Sequence, residues 1–116
     1  SPLSKVRECI DARCAEPLRL RELCALAGLS PTRLARVFEA AYGLTPHGYQ
    51  QSRRVAKAKR MILSGAPLAD VAAACGYSDQ SHLNRWFLRI QGTTPGRLRR
   101  AFLSKTADCR GASLRP

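Results

Sequence analysis

The chain has 116 residues, the size of one domain and enough for a modest core or for two small ones sharing a helix. Its 20 Lys and Arg against 8 Asp and Glu give a formal net charge of +12, a self-repulsion that a polyanion relieves; nucleic acid is the commonest such partner, and a generally solvated basic surface is the bland alternative. No apolar run approaches the roughly 20 residues that a membrane-spanning helix needs, and five cysteines, odd in number and without a Cys-x-x-Cys pair, argue against a zinc site or a disulfide framework.

Strand-like alternation is absent and Ala, Leu and Arg dominate, so the chain is predicted to be all-α. A first helix is predicted over roughly Ser4 to Cys14, with Val6, Cys9, Ile10 and Arg13 on one face, ending near Pro17. A second, Leu20 to Leu26, is closed by Gly28, which adopts the left-handed cap conformation at little cost. Ser30-Pro31 opens the third with an N-cap and a first-turn proline. This helix turns Leu34, Val37, Phe38 and Ala41 inward and Thr32, Arg33, Ala35 and Arg36 outward, and Gly43 stops it. Thr45-Pro46 then opens a long helix to about Leu63, whose stripe of Val55, Ala58, Met61 and Ile62 is flanked by Arg53, Arg54, Lys57, Lys59 and Arg60. It spans roughly 27 Å at about 1.5 Å per residue.

Ser64 to Pro67 separates that helix from the fifth, Leu68 to Ala74. Gly76 turns into the sixth, Asp79 to Gln91, with Ser78 as its cap, and Thr94-Pro95 opens the seventh, to about Leu103. Residues 1–103 are thus read as the folded domain, and 104–116, poor in apolar residues, as a disordered tail. Cys24 and Cys75 lie on apolar stripes and read as small buried hydrophobes of a reducing cytoplasm; nothing around Cys9 or Cys14 marks an activated thiolate.

The chain says the same thing twice. Residues 20–46 recur as 68–95, the second copy carrying one extra residue just after its glycine. Leu20, Leu23, Ala27 and Gly28 answer Leu68, Val71, Cys75 and Gly76. Past the insertion, Leu34, Arg36, Phe38, Gly43, Thr45 and Pro46 answer Leu83, Arg85, Phe87, Gly92, Thr94 and Pro95. Each copy, a short helix, a glycine turn and a second helix with a central arginine, reads as a helix-turn-helix, at about 20–42 and 68–91, joined by the helix at 46–63. The charge follows the repeats: residues 1–30 carry five basic and four acidic side chains, residues 31–60 seven and one.

The Gly-Leu-Ser turn, Leu-x-Arg-x-Phe, the Gly-x-x-Pro exit, Arg-Val-x-x-Ala in the joining helix, GYSDQSHLNRWF and GTTPGRLR together resemble the DNA-binding domain of AraC/XylS transcription regulators. The resemblance runs from about Leu18 to Phe102. It implies seven helices in two helix-turn-helix subdomains, with both recognition helices in successive major-groove segments on one face of the DNA. Such segments recur every 34 to 36 Å or so, and a joining helix of roughly 27 Å plus the flanking radii is the right order of size. The unlike copies call for an asymmetric target.

Helix position names the base-contacting candidates: Thr32, Arg33, Ala35 and Arg36 in the first repeat, Gln80, Ser81, His82, Asn84 and Arg85 in the second. The family's base-contacting positions fall on these residues. Gln and Asn grip adenine by two hydrogen bonds and Arg grips guanine likewise. Ala35 departs from the larger polar residues often found there and suggests a weaker or methyl-reading contact. For Arg36 and Arg85 the competing reading is a salt bridge to a neighbouring helix; His82 serves equally as a cap or a phosphate contact. Phosphate candidates are the helix openings at Pro31, Pro46, Asp79 and Pro95, with Arg53, Arg89, Arg97 and Arg99, each set against a plain solvated charge. Asp79 itself opposes an anion, so capping or a contact to cytosine is its other reading. Trp86, Phe38, Phe87 and Tyr77 follow the apolar face and read as core.

No Gly-rich phosphate loop, paired carboxylates or Ser-His-Asp set points to an enzyme, and no cofactor is expected. The expected function is sequence-specific binding of double-stranded DNA for transcription regulation, with activation as its sense, in the bacterial cytoplasm at the nucleoid. The rivals are a non-specific architectural DNA binder and a helical protein-interaction module. RNA polymerase is the other expected partner. The family commonly carries an effector-binding or dimerisation domain before this one, and a longer parent preceding Ser1 is expected.

Overall fold

The computed structural model describes residues 1–114, with side chains through residue 105. Among the described residues there are seven helices and no strand: α1 (Pro2–Ala12), α2 (Leu20–Ala27), α3 (Pro31–Tyr42), α4 (Pro46–Leu63), α5 (Leu68–Ala74), α6 (Gln80–Gln91) and α7 (Pro95–Leu114). The chain divides into two compact units, Ser1–Ala56 and Lys57–Pro116, and the division falls inside α4.

Elements α2 to α6 follow the expected bounds to within a residue, and the two ends differ. Helix α1 starts at Pro2, two residues before the expected Ser4, because Ser1 accepts the Ser4 N–H and Pro2 occupies the first turn. Helix α7 continues to Leu114, well past Leu103. Residues 104–114 hold no proline and include Lys, Ala, Arg and Leu, all strong helix formers, so low apolar content alone does not end a helix there. Of the segment expected to be a disordered tail, residues 115–116 lie outside the described residues.

In the first unit Val6 and Ile10 of α1, Leu23 and Cys24 of α2, and Leu34 and Phe38 of α3 form one buried cluster. Helix α4 adds Tyr49, whose ring meets Phe38 edge-on at 5.7 Å between centroids. Val37 is only half-buried and Ala41 is exposed, so the inward stripe of α3 is narrower than expected, centred on Leu34 and Phe38. In the second unit the equivalents Leu83 and Phe87 are fully buried, as are Val71, Cys75 and Ile62. Truncating either phenylalanine to alanine costs about 3–5 kcal/mol by cavity formation. Both recognition helices end on a left-handed glycine, Gly43 at φ +81° and Gly92 at φ +77°, each donating its N–H to the carbonyl four residues back. A side chain with a Cβ is strained in that conformation, which is why glycine recurs at this place in both repeats.

Candidate nucleic-acid interface

The turn of each helix-turn-helix sets where its second helix begins. Ser30 Oγ accepts the Arg33 N–H at 3.3 Å, and Asp79 Oδ1 accepts the His82 N–H at 2.8 Å. Asp79 is therefore the N-cap of α6, not its first residue, and Ser78 is not the cap. The repeat already carried this signal, since past the inserted residue Ser30 answers Asp79. The assignment corrects the phosphate role as well: the Asp79 carboxylate lies against this helix opening and repels an anion there. Pro46 and Pro95 are buried, and Thr45 and Thr94 use their hydroxyls to cap Gly48 and Arg97, both at 3.2 Å. The rings of these two prolines are enclosed where they start their helices, whereas of the three candidate prolines Pro31 alone is exposed.

The outward faces of α3 and α6 match position for position. Arg33, Arg36, Val37 and Ala40 line an open hollow on α3, and His82, Arg85, Trp86 and Arg89 line one on α6. Both sets are spaced i, i+3, i+4, i+7, one helical face, and they are equivalent residues of the repeat. Thr32, Arg33 and Arg36 are exposed, as are Gln80, Ser81 and Arg85. Among the described residues neither Arg36 nor Arg85 enters an ion pair, which removes the salt-bridge reading that competed for them. Ala35 and Asn84, again equivalent, sit half-buried on the flank, and Asn84 Oδ1 is enclosed without a hydrogen-bond partner among the described residues. Ala35 lies three residues from Thr32, and Asn84 three from Ser81 and four from Gln80, so each neighbours an exposed candidate along its helix.

On α6 the Ser78 N–H donates to His82 Nδ1 at 3.3 Å, so in the neutral ring Nε2 carries the proton. The His82 ring packs edge-on against Tyr77 at 5.0 Å. Tyr77, Phe38 and Phe87 are buried as expected; Trp86 is not core. It is half-exposed, with the Arg89 guanidinium 5.3 Å from its ring centroid, a cation–π distance contributing about 0.5–1 kcal/mol at an exposed site.

Several basic residues hold the fold instead. Arg53 pairs with Asp11 at 3.3 Å, and Tyr49 donates to the same Asp11 oxygen at 2.6 Å. Burial, followed by this bond, raises the Tyr49 hydroxyl above its ordinary value. Arg54 and Gln50, both buried, donate to the carbonyls of Cys14 and Glu16 in the turn after α1. In the second unit Arg99 donates to the carbonyls of Ile62 and Ala66 at the end of α4, and Lys57 Nζ donates to Ala74 O at 3.0 Å. Irregular turns leave carbonyl acceptor capacity over, and these side chains use it; Ile62 O and Glu16 O each also accept a backbone N–H, from Gly65 and Leu18. Arg53 and Arg99 are thus engaged within their own units, whereas Arg89 and Arg97 are exposed. Sequence reasoning missed Gln50 and Arg54 because nothing in a basic helical stripe says which members face a buried turn.

Comparison with known proteins follows the same geometry. The family model described as a helix-turn-helix domain matches residues 23–101. The "Probable transcriptional regulator LumQ" of Photobacterium leiognathi is 33% identical over 89 residues, covering 76% of this chain and 36% of that protein. The arabinose operon regulatory protein of Escherichia coli (strain K12) is 28% identical over 81 residues, 69% of this chain and 28% of that one. The chain spans about a third of the length of the curated relatives it matches. The crystal structure of the DNA-binding domain of AdpA in complex with a target DNA superposes with a TM-score of 0.82 at 25% identity, covering 90% of this chain and 96% of that one. With two helix-turn-helix units of one architecture, equivalent outward faces and these relatives, the chain belongs to the AraC-type helix-turn-helix family of transcription regulators.

Proposed function

We propose that this domain binds double-stranded DNA in a sequence-specific manner and brings a bacterial transcription regulator to its operator. The observation that carries the reading is the pair of equivalent, outward, donor-rich faces on α3 and α6. Guanidinium groups present only donors, which suit the O6 and N7 acceptors of guanine in the major groove and the oxygens of phosphate. Thr32, Arg33 and Arg36 read one half-site; Gln80, Ser81, His82 and Arg85 read the other, while Arg89 and Arg97 take phosphates. Because the two faces differ, the half-sites differ and the operator is asymmetric, its halves in successive major-groove segments.

Activation, contact with RNA polymerase, control through an additional effector-binding or dimerisation domain and a place at the nucleoid belong to the same proposal. A non-specific architectural role fits less well, since Gln80 and the exposed Arg36 and Arg85 suit base readout better than charge alone requires. A protein-interaction module leaves the charge of +12 without use. Selection of sites from random duplexes followed by titration tests the proposal: a preferred asymmetric site and a log-log salt slope on the order of −5 or steeper are expected. A flat salt dependence removes DNA as the partner, and equal affinity for selected and random duplexes removes sequence specificity.

A further inference from the structure

The two recognition faces are equivalent in place and unlike in chemistry. Along the i, i+3, i+4, i+7 positions the first repeat carries Arg33, Arg36, Val37 and Ala40, and the second carries His82, Arg85, Trp86 and Arg89. The first therefore holds both guanidiniums at its opening half, whereas the second keeps Arg85 and adds Arg89 one turn further on. At about 1.5 Å per residue, 82 to 89 extends over roughly 10 Å of helix and 33 to 36 over roughly 5 Å. Arg89 is a long, exposed side chain that pays rotamer entropy when it binds. Its guanidinium lies against the Trp86 ring, 5.3 Å from the centroid, so one of its orientations is already favoured before any anion arrives.

We propose that Trp86 is a positioning residue that holds the Arg89 guanidinium ready for a DNA backbone phosphate at the far end of the second recognition helix, a device that Val37 and Ala40 deny to the first. The proposal rests on the DNA-binding reading above and adds to it a mechanical difference between the two repeats. The indole ring offers its face to the cation and leaves the guanidinium edge, with its fork of donors, free for phosphate oxygens.

The test uses the full chain, a labelled duplex carrying the selected site, and salt titrations of Trp86→Val, which installs the residue of the first repeat, Trp86→Phe, Arg89→Ala and the double variant Trp86→Val/Arg89→Ala. Losing one phosphate contact makes the log-log slope shallower by about 0.9, which scaled from 1 M down to 0.1 M salt is about eightfold in affinity. Arg89→Ala is expected to show that loss with base preference unchanged. Trp86→Val should show a large part of it, the double variant no more than Arg89→Ala alone, and Trp86→Phe, which keeps an aromatic face, should recover most of the affinity.

Wild-type slope and affinity in Trp86→Val overturn the proposal, and so do losses that multiply in the double variant, because a merely structural tryptophan acts independently of Arg89. Should Trp86→Val fail to fold, emission decides: Trp86 is the only tryptophan of the chain. Duplex binding is expected to change its fluorescence in the wild type and to do so much less in Arg89→Ala; equal changes in both overturn the proposal. If the wild type itself shows no salt-dependent binding, it is the DNA-binding reading that fails.

Discussion

Arg97 and Arg99 lie two residues apart on α7 and look alike in sequence, yet one side chain is exposed and the other clamps a turn, which makes Arg99→Ala an informative perturbation. Arg99 Nε and Nη2 donate to Ile62 O at 3.3 and 3.1 Å, and Nη2 also donates to Ala66 O. These carbonyls close α4 and carry the chain into α5, so without the guanidinium two acceptors at a helix end lose a charged donor. Hydrogen bonds to charged groups contribute about 1.5–3 kcal/mol net when well enclosed; Arg99 is only half-buried, so about 2 kcal/mol in all is expected. In a unit of this size that lowers the melting midpoint of the second unit by about 8–16 °C.

Arg97 is exposed, its backbone N–H is capped by Thr94, and among the described residues its side chain enters no ion pair. Arg97→Ala is therefore expected to melt like the wild type and to flatten the salt slope of DNA binding by about 0.9 for every sequence alike. Calorimetry with duplex titration at several salt concentrations reads both quantities on both variants. If Arg99→Ala melts with the wild type and flattens the slope instead, Arg99 reaches phosphate and its clamp on the α4 end is not what stabilises the unit.

Three further outcomes follow from the same contacts. Arg36→Ala and Arg85→Ala should each relax base preference at one or two positions of their own half-site, at a cost of about 1–3 kcal/mol, with unchanged melting; a library of sites measured beside thermal stability checks this, and earlier melting with wild-type preference would make both arginines structural. Tyr49→Phe removes the hydroxyl that donates to Asp11. Because the folded state raises the tyrosine above its ordinary value near 10, its contribution is complete below that pH and is lost as pH rises through the folded value, so the stability of wild type relative to Tyr49→Phe should shrink only above about pH 10. A difference that shrinks on going from pH 9 to 7 contradicts the assignment. Lys59→Pro, at an exposed position of α4, should cost roughly 3 kcal/mol or more by breaking the helix and should abolish the composite site while leaving weak binding to half-sites. Lys57 is unsuitable for that purpose because it ties Ala74 O; unchanged affinity of Lys59→Pro for the full site shows that the two reading heads act independently.

The helices were legible because their punctuation is local. Ser-Pro and Thr-Pro openings, glycine exits and a stripe of apolar residues act within one turn of the residues that carry them, so α2 to α6 follow from the text of the chain. The outward faces of α3 and α6 were legible for a second reason, the repeat, which doubles every observation. The repeat also held a signal that went unused: Ser30 answers Asp79, which marks Asp79 and not Ser78 as the cap of α6. What was not legible depends on neighbours remote in sequence. Trp86 lies at the edge of the apolar stripe of α6, and whether its ring faces a core or an arginine is decided by packing, not by its spacing from Leu83 and Phe87.

The same limit governs the cations, and it bears on how the charge of +12 is to be understood. A basic side chain on an amphipathic helix has two uses, tying off the carbonyls of an irregular turn or meeting an external anion, and both call for the same residue type at the same helical spacing. What separates them is the turn lying beside the residue. Arg54 meets the carbonyls after α1, Lys57 the end of α5, and Arg99 the end of α4, so these charges are engaged within their own units. Arg33, Arg36, Arg85, Arg89 and Arg97 face solvent on surfaces where the described residues provide no acidic partner. These cations thus fall into those that hold turns and those that face solvent, and on the DNA-binding proposal only the second group should register in the salt dependence of binding.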